Sequence, residues 1–343
     1  MNKRERIMAT LKGEDVDRPP VSFWRHFYKE ETTQEGLAEA MLGFQSKYDW
    51  DFMKVNPRAE YHVEDWGNRY EYSGDDFIKP VLIEPCIKNA EDWKRLEVLP
   101  PDKGVLGEHL KTLELIAKSL DAEVLFVMTV FTPLSIALYL TGDLSRLVQH
   151  IREAPEALHQ GLEVITTTFV DFTRACLDTG AGGIFLATTE CAREDLLTKE
   201  QYDLFGRNYD VKVLNAAKGA DFNILHVCKS NNMLNHLLDY PVHALNWNAV
   251  DPTNSSLGEI MRKTDKVVIG GVDHSKSLMA DNPEMVIDEA RKAYNETMGK
   301  KWILGGGCTF SPEVKEENLM TLRNPVKWVT HSGGLRKDNG VKP

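Results

Sequence analysis

One short stretch, Asp221-Phe222-Asn223-Ile224-Leu225-His226-Val227-Cys228, carries the residue types best suited to holding a metal ion. Its apolar run reads as a buried strand. Residues two apart on a strand point the same way, so His226 and Cys228 present an imidazole and a thiol on one side. A third soft donor, Cys308, closes a second strand-like run, Trp302-Ile303-Leu304-Gly305-Gly306-Gly307-Cys308. One imidazole and two thiolates suit zinc better than magnesium or calcium, and three protein ligands leave a fourth position for a reactant. An ion held by two thiolates is a mild Lewis acid, better at keeping an incoming thiol as a thiolate than at hydrolysis. Thiol alkylation is the chemistry this favours. Spacing alone also fits a plainer alternative, in which a histidine and two buried cysteines only cap strands. A structural zinc is disfavoured because no Cys-x-x-Cys pair is present.

The elements that must position these residues are constrained first by composition. At 343 residues and 42% hydrophobic, the chain can bury a large core without a disulfide or metal staple. Its five cysteines are scattered and odd in number, with no signal-peptide pattern ahead of them, so a reducing cytoplasm is expected. No run of about 20 apolar residues is present, which argues against a membrane span. The balance of 41 Lys and Arg against 52 Asp and Glu gives a formal charge of −11. Such a surface disfavours phosphate tracking, so nucleic acid is not an expected partner.

Eight short β-rich or apolar runs occur at residues 21–24, 51–55, 124–129, 183–188, 222–228, 242–247, 266–272 and 302–308. Most intervals between them carry helical patterns, at 33–48, 106–120, 144–176, 199–217, 231–238, 256–262 and 283–298. Ile7, Met8 and Leu11 follow helical spacing on an opening segment expected to pack outside the fold. Alternation of strand and helix predicts parallel crossover units, and eight of them predict one α/β domain over 1–343, a closed (β/α)8 TIM barrel. A doubly wound sheet would need a glycine fingerprint after an early strand, and none is present. Residues 57–121 exceed a simple crossover; their first part, 61–72, is expected as a hairpin-like flap over the barrel mouth or as a plain surface excursion. The tail, 333–343, is expected to be frayed.

In such a barrel the strand ends share one mouth, which removes the difficulty of the long gap between Cys228 and Cys308. Arg25, His26, Asn56, Thr129, Glu190, Cys191, Asn248, Asp251, Asp273 and His274 are expected around it. Arg25 would bind an anionic group or close an ion pair. His26 and His274 would serve as acid–base groups or as hydrogen-bonding surface residues. Asp273 would orient His226 or cap the next helix. Trp24, Trp66 and Trp247 would line the pocket or fill core.

Beyond this reading, the opening Glu5-Arg6-Ile7, Leu11-Lys12-Gly13-Glu14 and Val16-Asp17-Arg18-Pro19-Pro20-Val21 through Trp24-Arg25 resembles the uroporphyrinogen decarboxylase superfamily. So do Leu197-Thr198-Lys199-Glu200-Gln201-Tyr202-Asp203-Leu204-Phe205 and Pro312-Glu313 with Glu317-Asn318-Leu319. The resemblance implies a (β/α)8 barrel, in agreement with the strand count. Within the superfamily, His226-x-Cys228 with Cys308 is similar to the zinc motif of the corrinoid-dependent methyltransferases, the group that includes methylcobamide:coenzyme M methyltransferase. What this implies is a bound zinc and a methyl group moved between a corrinoid and a small thiol acceptor or methyl donor. No Asp-x-His-x-x-Gly corrinoid-ligand motif is present, so the corrinoid, a cobalamin-type cofactor, would be carried by a partner protein. The related cobalamin-independent methionine synthases imply a carboxylate as fourth zinc ligand, for which Glu190, Asp251 and Asp273 are equivalents. A metal-independent decarboxylase fits less well: the family's paired arginines become Arg25 and Lys29 here, and Lys does not replace Arg in bidentate carboxylate binding. A non-catalytic ligand-binding barrel is the third reading.

Overall fold

The computed structural model describes residues 1–329; the expected frayed tail lies outside them. Seven strands, β1 (Phe52–Val55), β4 (Leu125–Phe131), β5 (Gly183–Ala187), β6 (Ile224–His226), β7 (Ala244–Asn246), β8 (Val267–Val272) and β9 (Trp302–Gly306), pair in that order. Every pairing among them is parallel, and helices fill most of the intervals. The result is an α/β fold around a curled parallel sheet. Strand alternation divides the apolar residues between two clusters. Leu125, Val127, Phe185, Ile224, Ile269 and Ile303 gather inside the curl, while Phe126, Met128, Ile184, Leu186, Leu225 and Leu304 face the helices. Both faces of the sheet are covered, which is why the strands read as continuous apolar runs.

The run expected as the first strand does not form a ladder. Pro19 and Pro20 supply no N–H, so pairing on both sides is interrupted before it starts. What remains is a single parallel bridge from Val21 to Leu304, with Ser22 N donating to Leu304 O at 3.0 Å and Leu304 N to Pro20 O at 2.9 Å. On its other side Asp51 N donates to Val21 O at 2.9 Å and Ser22 Oγ to Phe52 O at 2.8 Å. Residues 20–24 thus touch both edge strands of the curl.

Other differences have local causes. The helix expected over 144–176 is two helices, Leu144–Glu153 and Pro155–Asp178, because Pro155 drives Ala154 out of the helical region to φ −142°, ψ 47°. The unanticipated helix Pro133–Thr141 starts on the Thr132 side chain, which accepts from Ser135 N, and stops at left-handed Gly142. Residues 231–238 hold only a three-residue 3-10 turn, Leu234–His236. The opening helix Lys3–Lys12 does not merely lie outside: Ile7 is fully buried in the inner cluster. Within 57–121, the flap expected at 61–72 is instead a short helix, Tyr61–Glu64, followed by an antiparallel hairpin of β2 (Arg69–Glu71) and β3 (Val81–Glu84). The hairpin loop is fastened to the mouth by ion pairs of Asp76 with Arg25 and of Lys79 with Glu60, the latter at 2.9 Å.

Asp51 fastens residues 18–21 to the sheet. Fully buried, it accepts from Arg6 Nη1 at 2.7 Å, Arg18 Nη1 and Nη2 at 2.6 and 2.8 Å and Val21 N at 2.7 Å. Removing it takes the only carboxylate from Arg18 and one of two from Arg6, which keeps Asp17, and orphans the buried Val21 amide. Asp51→Ala is expected to lower the unfolding free energy by roughly 3–5 kcal/mol, measured by urea denaturation.

Candidate metal centre

His226 is the last residue of β6, and parallel register sets it beside Ala187 on one side and Asn246 on the other. Its Nδ1 lies 2.6 Å from Asn246 Oδ1. The Asn246 amide nitrogen donates to Ile269 O at 3.0 Å and Gly306 O at 3.1 Å. With both its N–H groups so used, the Asn246 oxygen must face the ring, where it can only accept. His226 therefore carries its proton on Nδ1 and presents a free lone pair at Nε2. Phe185 stacks against the ring at 5.2 Å between centroids.

Nε2 faces the two thiols. Cys308 Sγ lies 3.4 Å from it and 3.7 Å from Cys228 Sγ, and all three ligand atoms fall within 4.8 Å of one another. A tetrahedral zinc with Zn–S of about 2.3 Å and Zn–N of about 2.0 Å sets two thiolates ~3.8 Å apart and a thiolate and an imidazole ~3.5 Å apart. The two edges that meet at Cys308 match these lengths. Cys308 is delivered by Gly307, where a Cβ would stand 2.6 Å from the Asn248 Cα, so only glycine lets the chain pass there. A hydrogen bond from Cys228 holds the Cys308 thiol well below its ordinary value, with the neighbouring His226 and His274 adding to it. Cys228, the donor in that bond and buried, is held correspondingly above. One proton is thus shared by the pair, and a metal would displace it.

The three ligands open onto a cavity of about 290 Å³ at the C-terminal ends of the strands, lined also by Trp24, His26, Lys54, Asn56, Thr129, Tyr139 and Glu190. The other expected residues are distributed as follows. His26 pairs through Nδ1 with Glu31 at 3.1 Å and stacks on Tyr28. Arg25 donates to His26 O at 3.0 Å, pairs with Asp76 and lies over Phe27; it is not among the cavity-lining residues. Asp273 accepts from Ser275 N and Oγ, both at 2.8 Å, and from Lys276 N at 2.9 Å, an Asx-type turn that caps neither the 3-10 turn Ser277–Met279 nor the helix Glu284–Thr297; the residue bonded to the His226 ring is Asn246. Asp251 is held by Ser230 Oγ at 2.6 Å and by Thr253. Glu190 lines the cavity with one oxygen on Lys229 at 2.7 Å and the other on Arg193 at 3.0 Å. Among the described residues no fourth His, Cys, Asp or Glu joins the three-membered group. Trp66 and Trp247 donate to Glu97 O and Ser255 O and are absent from the lining.

Sequence reasoning missed Lys54 altogether. It sits mid-strand in β1, 4% exposed, with Nζ donating to Asn56 Oδ1 at 2.9 Å and lying over the Phe185 and Trp24 rings at 4.7 and 5.8 Å. A lysine inside the run Phe52-Met53-Lys54-Val55 was the available signal. Burial pulls its ammonium down to about 7, against a small opposing pull from Cys308. The ordinary value of 10.5 applies to the unfolded chain, so the cost of burying the charge is full below about pH 7 and fades as pH rises towards about 10.5. Lys54→Met is therefore expected to stabilise the protein by about 1–4 kcal/mol at pH 6.5, with a gain in melting temperature that shrinks steadily by pH 9.5.

A family model described as uroporphyrinogen decarboxylase (URO-D) matches residues 2–328. The chain is 22% identical over 340 residues to a protein named methylcobamide:CoM methyltransferase MtbA from Methanosarcina acetivorans, covering 93% of this chain and 96% of the relative. It is also 22% identical over 356 residues to a uroporphyrinogen decarboxylase from Prochlorococcus marinus, covering 95% and 98%. Among solved structures, a methyltransferase from Methanosarcina mazei superposes with a TM-score of 0.81 at 20% identity over 94% of this chain and 97% of that one, which establishes likeness of fold. With almost its whole described length matched by one family model, the chain belongs to the uroporphyrinogen decarboxylase (URO-D) family.

Proposed function

We propose that this protein is a zinc-dependent methyltransferase that moves a methyl group between a corrinoid carried by a partner protein and a small thiol acceptor or methyl donor, on a (β/α)8-like barrel in which the segment 20–24, without a ladder of its own, occupies the first-strand position. The observation that carries the reading is the donor set itself. Cys308 Sγ stands at tetrahedral edge lengths from the Cys228 thiol and the His226 nitrogen, 3.7 and 3.4 Å, all three ligand atoms lie within 4.8 Å of one another, and the imidazole tautomer is fixed for metal binding by Asn246. The name of the Methanosarcina acetivorans relative supports the same chemistry, while that of the Prochlorococcus marinus relative carries the decarboxylase alternative.

His226 Nε2, Cys228 Sγ and Cys308 Sγ would hold the ion, leaving its fourth position towards the cavity. Bound there, zinc would supply the Lewis acidity that keeps an incoming thiol deprotonated near neutral pH. The chain's own residues do the rest. Asn246 holds the imidazole in one tautomer and one plane, and Phe185 packs its face. Trp24, Phe131, Tyr139 and Phe185 narrow the cavity and exclude water from it. A corrinoid on a partner protein would supply or receive the methyl group, and the chain's own residues would hold the small reactant at the strand ends to meet it. The corrinoid must therefore approach over the strand ends. Glu190 is the one proposed carboxylate ligand that lines the cavity, and both its oxygens are already paired, which leaves the fourth position to an exogenous ligand. Among the described residues no helix is long and apolar enough to cross a membrane.

Untreated protein is expected to contain zinc near one equivalent per chain, and Cys228→Ser and Cys308→Ser each to abolish it; a folded, metal-free preparation overturns the reading. Asn246→Ala is expected to weaken zinc about 10–100-fold in chelator competition while the fold persists. Catalysis is read separately, from the absorbance change between methyl-cobalt and Co(I) corrinoid when candidate thiols or methyl donors are added. Carbon dioxide release from a porphyrinogen that survives chelation would instead favour the metal-independent decarboxylase.

A further inference from the structure

Among the described residues, the hairpin of β2 and β3 concentrates exposed apolar side chains. Strand alternation turns the cross-strand partners Tyr70 and Leu82 inwards, where Tyr70 packs on the core and Leu82 lies against Gly142 at the end of the helix Pro133–Thr141. The same alternation turns Val81 and Ile83 outwards. With Phe77 and Ile78 of the connecting loop, they are each at least half exposed. All four fall within residues 77–83, so they form one patch, and contiguous apolar patches on a protein surface mark interaction sites.

The patch is also held still. At the hairpin base Asn68 Nδ2 donates to Tyr139 O, and Asn68 Oδ1 accepts from Cys86 N, both at 2.8 Å. In the loop Asp75 Oδ1 accepts from Phe77 N at 2.8 Å, and the Asp76–Arg25 and Lys79–Glu60 pairs fasten the tip to the strand ends. A face tied at both ends cannot fold back over its own apolar residues, and it meets a partner with little left to order.

Its position decides what it meets. Lys79, in the same loop as Phe77, lines the cavity of the metal centre, so a molecule seated on the patch also overhangs the cavity mouth. The proposed reaction brings a corrinoid there. A corrin macrocycle is larger than the cavity of about 290 Å³, so its carrier has to rest on the surface outside. The rim cations Arg25, Lys79 and Lys229 are already paired, which leaves apolar contact as the hold. Four side chains about half exposed offer on the order of 400 Å², roughly half of the ~800 Å² that each side of a stable association buries. That area is too small for a permanent dimer of this chain and suits a carrier that binds briefly, gives or takes its methyl group and leaves.

We infer that the outward face of this hairpin, formed by Phe77, Ile78, Val81 and Ile83, is the docking surface for the protein that carries the corrinoid, which sets an apolar patch of its own against it. The identity of the partner rests on the proposed reading of the site; the patch and its place at the mouth need no metal.

The test places the photo-reactive residue p-benzoylphenylalanine at position 77 of the full chain and, as a control, at Met298, an exposed residue ahead of β9 and so at the opposite ends of the strands. Each protein is irradiated in a cell extract of the source organism, and the purified adduct is assayed for cobalt and corrinoid absorbance. Position 77 is expected to yield a cobalt-containing adduct at least ~10-fold above position 298. Val81→Thr combined with Ile83→Thr, which keeps β-branched side chains in the strand, is expected to cut that yield about 10-fold while zinc content and melting temperature stay put. A cobalt-free adduct, a cross-linked dimer of this chain, no adduct, or a yield untouched in the folded double variant overturns the inference. Stoichiometric zinc without a cobalt-containing adduct would sink the docking surface alone; a cobalt-containing adduct on a chain that never holds zinc would sink the metal reading and leave the docking surface standing.

Discussion

One side-chain amide holds the metal centre together. Asn246 belongs to β7, accepts from His226 on β6, and donates to Ile269 on β8 and Gly306 on β9. Four consecutive strands therefore meet on a group with no freedom to flip, because reversing it would set two N–H donors against the ring and an oxygen against two carbonyls. The imidazole proton is placed by backbone carbonyls two and three strands away. A carboxylate in this position would orient the ring as well, but it could not also tie β8 and β9, since it has no donor.

The curl of the sheet turns this local arrangement into a three-ligand site. Cys228 and Cys308 are 80 residues apart in sequence and come from strands separated by β7 and β8. They meet only because the sheet bends enough for the exit of β9 to pass the backbone of Asn248 at Gly307. The bend is maintained from the opposite edges by the 20–24 run, which bonds to both β1 and β9, and that run is anchored by Asp51 through two arginines. Stability of the Asp51 cluster and geometry of the metal centre are thus linked through the curvature of one sheet.

What the sequence made legible follows from this dependence. His226-x-Cys228 was readable as a pair near a strand end, although β6 stops at His226 and carries Cys228 only as the second residue past it, and Cys308 because strand-end convergence follows from parallel alternation. The inner and outer apolar sets were equally plain in runs such as Leu125–Phe131. The break at Pro155 was also written there, as a residue with no N–H inside a helical pattern. Asn246 was not legible: an asparagine before Trp247 gives no hint of three partners on three strands, since those contacts exist only after register is set. Lys54 was passed over because strand reading weighs apolar runs, and a single lysine in one is read as noise unless its burial is known. The first strand was over-read because its apolar content outweighed the two prolines before it.

Charge pairing around the mouth bears on which family chemistry this chain fits. A substrate rich in carboxylates needs several cations free to meet it. Here Arg25 is engaged by Asp76, Lys79 by Glu60 and Lys229 by Glu190, so the groups that a polyanion would require already have partners within the protein. Displacing them would release three carboxylates, one of them the buried Glu60, into the same small space. The cations that a polyanion would have to recruit are thus committed within the fold before any ligand arrives, and each would have to be drawn away from a carboxylate that already holds it.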